Sequence, residues 1–242
     1  ADLRGADLRG ADLRRANLVG ADLQGATLQR ANLQGADLKG ASLYNAELGK
    51  ANLHLANLEG ATLEGAGLQL AELQGANLQG ANLQKANLQK ANLQGAHLRG
   101  AKLEGADLHG TYFWGAELQG ANLFGANLFL ATLVGADLEG ANLVGAHLRI
   151  ANLAGANLGR ANLQDANLVG AHLEGANLEG ANLLGAKLDS DDLAMAKAQG
   201  AILDASGSDV AKAVPEKPKP VKRVAQQLGT SGETKEIARL KR

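Results

Sequence analysis

The chain has no cysteine, only three prolines and only six aromatic residues among 242. Without cysteine there is no disulfide, no thiol nucleophile and no thiolate metal site, and the compartment stays undecided. No apolar run comes near the roughly 18 residues that a membrane-spanning helix requires. The five histidines, His54, His97, His109, His147 and His172, stand far apart, and none is paired with a neighbouring serine. Metal binding and general-base chemistry need convergent groups, so no enzyme activity, cofactor or metal is expected.

What is abundant is glycine, 32 residues, and its placement is regular. Cut into fives, residues 1–190 give 38 blocks that mostly read Ala-(Asp/Asn)-Leu-x-Gly. The third place is Leu in every block but one, where it is Phe113, and the first is Ala in every block but that same one, where it is Thr111. A period of five suits neither common element. On an α-helix successive Leu would drift by about 140° and wrap around the axis. On a straight strand they would point to alternate faces. The chain must therefore change direction once per block. Ala and Leu, two apart, share one face of a short extended piece. Glycine in the fifth place suits a corner, because it tolerates positive φ. One block cannot bury its Leu alone, so the coils must stack as a solenoid.

Blocks such as Ala1-Asp2-Leu3-Arg4-Gly5 and Ala76-Asn77-Leu78-Gln79-Gly80 closely resemble the pentapeptide-repeat family. The resemblance covers roughly residues 1–205. It implies an all-β solenoid, a right-handed quadrilateral β-helix with four blocks per coil and with the Ala and Leu places filling the core. Residues 1–190 would then make nine to ten coils, a rod about 45 Å long at the usual strand spacing. Thirteen blocks replace the corner glycine. In a register of four blocks, seven replacements share one side: Arg30, Lys50, Leu70, Lys90, Leu130, Ile150 and Ser190. Phe113, the one larger core side chain, predicts a local bulge beside Thr111.

After this β-helix, residues 191–205 read either as degenerate coil, with Leu193 and Leu203 keeping register, or as a short capping helix. The helix is preferred, with Ser190 as N-cap, Asp191 and Asp192 in the first turn and Gly200 as the stop. Residues 206–242 form a basic, Pro-containing tail with nine Lys or Arg against four Asp or Glu. Its stretch Val214–Pro220 should be extended. Thr230 and Glu233 form a candidate capping box before a short helix, whose Ile237 and Leu240 make it a candidate docking arm.

These features point to a non-enzymatic rod: a scaffold, spacer or binding module with a protein partner, self-association remaining open. Trp114, Phe124 and Phe129 occupy outward places, and coil stacking would set them near Leu130, Val134, Val144 and Ile150. An exposed apolar patch of this kind marks an interaction site. Two rivals stand beside it. The resemblance includes proteins thought to imitate DNA and shield a topoisomerase. Here Glu59, Glu117, Asp137, Glu139 and Glu179 share a side, but Lys39 and Arg99 interrupt it. The other rival is a rigid arm of a larger enzyme or sensor, since Ala1 is already in register and upstream sequence is expected. Nucleic-acid binding is not expected, because Arg4, Arg9, Arg14 and Arg15 have no aromatic residues near them.

Overall fold

A computed structural model describes residues 1–203 and the strand Lys212–Val214. The polar second place of each block bridges in parallel to the second place twenty residues on, from Asp2↔Asp22 to Asn182↔Ile202. These bridges form four ladders, which begin at Asp2, Asp7, Asp12 and Asn17. They define four sides, numbered here one to four in chain order, and each coil holds four blocks.

The block sequence is explained by where its five N–H groups go. In the second coil, Asp22 N–H donates back to Ala1 and Leu23 N–H donates forward to Ser42. Gly25 N–H donates forward to Tyr44, and Ala26 N–H closes the corner onto the Leu23 carbonyl. The fourth-place N–H has no backbone acceptor in this pattern. It donates instead to the second-place side chain, as Gln24 does to Asp22 Oδ1 at 3.2 Å and His54 to Asn52 Oδ1 at 3.0 Å. Aspartate or asparagine in the second place thus completes the backbone hydrogen bonding of its own corner. The outward orientation of this residue was legible in sequence, but its bond to the corner was not.

Each corner is a turn closed by the next Ala N–H, with its fifth-place residue in the left-handed region, the signature of a type II turn. Gly5 has φ 62° and Gly80 φ 64°. Among the described residues twelve non-glycines hold the same conformation, including Arg30 at 58°, Leu55 at 56° and Ile150 at 58°.

From Ala21 onward the Ala and Leu places are almost wholly buried through the last coil. In the first coil Leu3, Leu8 and Leu13 are only partly covered. Each fully buried Leu contributes roughly 1.5–3 kcal/mol. Phe113 is fully buried without the expected bulge, because Tyr112 bridges to both Asn92 and Thr132 in unchanged register. The buried Thr111 hydroxyl donates to the Leu88 carbonyl at 2.7 Å. That carbonyl already accepts Ala91 N–H, so the extra donor is accommodated by its second lone pair.

Past the last full coil come strand β1 (Lys187–Asp189) and helix α1 (Ser190–Ala198). Asp189, not Ser190, takes the N-cap position. Its carboxylate makes no cap bond and accepts Gly170 N–H at 3.2 Å instead. Asp191 and Asp192 lie in the first turn, and Gly200 has φ 78° beyond the C-cap Gln199. The Gln199 side chain receives Leu178 N–H at 2.7 Å and donates to the Ala176 carbonyl at 3.1 Å, bonding groups on the edge of the final coil. Strand β2 (Lys212–Val214) pairs in parallel with β1, Lys187 against Lys212. A segment placed in the tail by sequence therefore extends the second side. The stretch after Val214, the capping box of Thr230 and Glu233, and Ile237 and Leu240 lie outside the described residues.

Candidate interaction surface

The corners carry the residues that set this rod apart. The first corner follows side one, and there Phe124 is followed one coil on by Val144, with Gly125 N–H donating to the Val144 carbonyl at 2.9 Å. On the second corner Phe129 and Leu130 precede Arg149 and Ile150, and Leu130 N–H donates to the Arg149 carbonyl at 3.2 Å. The Phe129 ring also meets the His109 imidazole, centroids 5.3 Å apart and tilted by 48°. An open groove there is lined by Asn127, Phe129, His147 and Arg149. On the third corner Trp114 precedes Val134, Gly115 N–H donating to its carbonyl at 3.0 Å. The seven sequence-selected residues therefore occupy three successive corners. Trp114, Phe124, Leu130 and Ile150 are exposed there, while Phe129, Val134 and Val144 are partly covered.

The acidic residues of the fourth side are largely engaged. Asp137 accepts Gln119 at 2.6 Å and Asn157 at 3.0 Å. His97 Nδ1 lies 3.1 Å from Glu117, Lys39 Nζ 3.1 Å from Glu59, and Arg160 3.7 Å from Glu139. In the first coil Arg4, Arg9 and Arg14 each fold back on the Asp two residues earlier, at 2.6 to 2.7 Å. Those guanidinium hydrogen bonds lower the Asp2, Asp7 and Asp12 carboxyls to about 2.

Among the described residues no three acidic or histidine side chains gather as metal ligands. No described helix is long and apolar enough to cross a membrane.

The second corner also differs in its fifth place, a feature only partly legible from sequence. On the other three corners every non-glycine residue is followed one coil later by glycine, as Arg15 by Gly35, Asn45 by Gly65, Lys85 by Gly105 and Arg160 by Gly180. The second corner alone stacks non-glycine residues in succession: Arg30, Lys50, Leu70 and Lys90, then Leu130 and Ile150.

Comparison with known proteins agrees with this architecture. The profile of pentapeptide repeats matches in eight copies, residues 1–35, 21–60, 31–69, 66–105, 91–129, 101–140, 131–168 and 156–204. No curated protein matches the chain. Among solved structures it is similar to HetL, a pentapeptide-repeat protein involved in heterocyst differentiation regulation from the cyanobacterium Nostoc sp. strain PCC 7120. The identity is 43%, over 74% of this chain and 84% of that one, with a TM-score of 0.68. Full-length QnrB1, a plasmid-mediated fluoroquinolone resistance protein, is 19% identical over 80% of this chain and 96% of its own, with a TM-score of 0.41. A pentapeptide-repeat protein from the Arabidopsis thaliana thylakoid lumen is 26% identical over 58% and 85%, with a TM-score of 0.30. With tandem matches along most of its length and each coil built from four such blocks, the chain belongs to the pentapeptide-repeat family.

Proposed function

We propose that the chain is a non-enzymatic protein-interaction rod, a scaffold or binding module that meets a protein partner through its apolar corners. One observation carries this reading. Trp114, Phe124, Leu130 and Ile150 stand 51, 53, 46 and 42% exposed within a few adjacent coils. Apolar surface left in water costs about 25 cal/mol per Å², and large apolar side chains exposed on neighbouring corners are characteristic of contact surfaces. Phe124 and Phe129 flank the second side, so one partner surface can engage both corners. The role of HetL in regulation is in keeping with binding. Helix α1 acts as a cap that protects the last coil from further stacking. The tail, with Ile237 and Leu240, is a second candidate cover for the patch.

The DNA-imitating alternative is less well supported. It needs a continuous negative face, and Lys39, His97 and Arg160 stand against the acids that would form it.

The test is Phe124→Ser with Phe129→Ser in the full chain. Loss of self-association by light scattering or loss of capture of a binding protein supports the reading, whereas altered tail proteolysis alone would assign the corners to the chain's own tail. If none of the three changes, the corners are ordinary surface and the reading is wrong.

A further inference from the structure

The stacked fifth-place residues of the second corner form a ridge that the coil does not require. A left-handed conformation is disfavoured for residues with a β-carbon, and at every stacked position glycine would satisfy the turn. On the other corners the strain is isolated, because the next coil always offers a glycine. On the second corner it accumulates in consecutive coils. Backbone strain retained along one edge directs attention to what that edge does.

The chemistry of the ridge changes along its length. Arg30, Lys50 and Lys90 form its first part with Leu70 among them, and Leu130 and Ile150 form its second part, beside Phe129 and Arg149. All six ridge side chains are exposed. A groove along the first part is lined by Arg9, Gln29, Arg30, Lys50, Gln69 and Leu70 among others. Arg30, Lys50 and Lys90 have no ion-pair partner among the described residues. The nearby acids of the second side are held by neighbouring amides instead, Glu47 by Gln29 at 2.7 Å and Asp107 by Gln89 at 2.6 Å. The ridge therefore presents three cations that no carboxylate pairs directly, followed by apolar surface.

Resting on the protein-interaction reading, we infer that the second corner docks an acidic protein segment that also carries apolar side chains. The acidic groups meet Arg30, Lys50 and Lys90, and the apolar groups meet Leu70, Leu130, Ile150 and Phe129. From Arg30 to Ile150 is six coil steps, roughly 29 Å at strand spacing. That matches a helix of about 19 residues at 1.5 Å each. Nucleic acid fits less well, because the cations are few and no aromatic ring stands among them for bases to stack on.

The experiment uses the full chain and labelled peptides about 18 residues long, read by fluorescence anisotropy at low and high salt. One peptide carries Glu and Leu at amphipathic spacing, a second has Lys in place of Glu, and a third has Ser in place of Leu. A single-stranded DNA of equal negative charge is the fourth probe. The expected result is salt-sensitive binding of the Glu/Leu peptide alone. Binding should weaken at least tenfold both in Arg30→Gly/Lys50→Gly/Lys90→Gly and in Leu70→Gly/Leu130→Gly/Ile150→Gly, with melting temperatures no lower than wild type. Absence of Glu/Leu peptide binding, equal binding by either variant, or equal binding of the Lys peptide, the Ser peptide or the DNA overturns the inference. Should the ridge variants bind normally while Phe124→Ser with Phe129→Ser still abolishes partner contact, the rod remains an interaction module and only the docking edge is wrong.

Discussion

The Leu55 side chain lies over Gly75, one coil further on, and its Cδ2 is 2.8 Å from where a β-carbon on Gly75 would stand. The same relationship joins Asn45 to Gly65 and Asp165 to Gly185. At these three pairs the corner side chain leans toward the next coil and a bare corner receives it, whereas on the second corner Arg30, Lys50, Leu70 and Lys90 follow one another without a glycine. Glycine at Gly65, Gly75 and Gly185 therefore has two separate causes, positive φ at its own corner and the side chain arriving from the corner before.

Gly75 and Gly80 separate the two. Both have positive φ, 63° and 64°, but a β-carbon on Gly80 would meet nothing within 4 Å. Gly80→Ala should cost about 1 kcal/mol, from the left-handed conformation alone. Gly75→Ala should cost about 1–2 kcal/mol more, because overpacking is added. In a Leu55→Gly background the excess should vanish. Urea unfolding of the four proteins checks this, and an equal cost at both glycines would refute the steric part.

Thr111 and Phe113 are the one departure from the Ala and Leu places, yet the coil passes through them in register. Phe113→Leu should cost under about 1.5 kcal/mol if neighbouring Leu side chains repack. Thr111→Ala should also cost under about 1.5 kcal/mol, because the Leu88 carbonyl keeps its bond from Ala91 N–H at 2.9 Å. Chemical denaturation measures both, and a larger loss from either would show that the coil depends on this pair.

The arginine-bound carboxyls of the first coil give a pH signature. Asp2, Asp7 and Asp12 are lowered from 3.8 to about 2 by hydrogen bonds from Arg4, Arg9 and Arg14. With a folded value below the unfolded one, their contribution to stability is complete above the ordinary carboxylate range. It is lost as pH falls toward 2. All three groups are fully exposed, so the effect is small and weakens with salt. Carbon-13 NMR titration should find all three midpoints well below 3.8, and Arg9→Ala should return Asp7 alone toward it. Midpoints near 3.8 in the wild type would remove the ion pairs from the account of this end.

The fold was readable because one residue type dictates each place. Leu at all but one of the third places and Gly at most fifth places leave few ways to bury the core. Less was readable where a residue acts beyond its own block. Asn52 and Asp22 look like generic polar surface in sequence, but each accepts an N–H that no backbone group in the coil can serve. The seven replacements on one side were visible as a bias. Their meaning as a stacked ridge depends on which coil lies over which, and on side chains that lean forward, neither of which composition encodes. The register of four blocks already puts Phe124, Phe129 and Trp114 on three adjoining sides, while which of them stay exposed is seen only in the folded coil. In sequence Lys212–Val214 falls in the tail, where the repeat has faded. Its pairing with Lys187–Asp189 uses backbone groups, which leave little trace in side-chain pattern.

The most direct test of a corner kept for contact is the unfolding free energy of Arg30→Gly/Lys50→Gly/Lys90→Gly, measured in urea beside the wild type. Relief of the left-handed conformation is worth about 1–2 kcal/mol per site, against about 0.5–1 kcal/mol for the greater chain freedom of glycine. The variant should therefore be as stable as the wild type or more so, by up to a few kcal/mol over the three sites. A loss of more than about 1 kcal/mol would contradict this, and would make the ridge a support of the coil instead of a surface held for a partner.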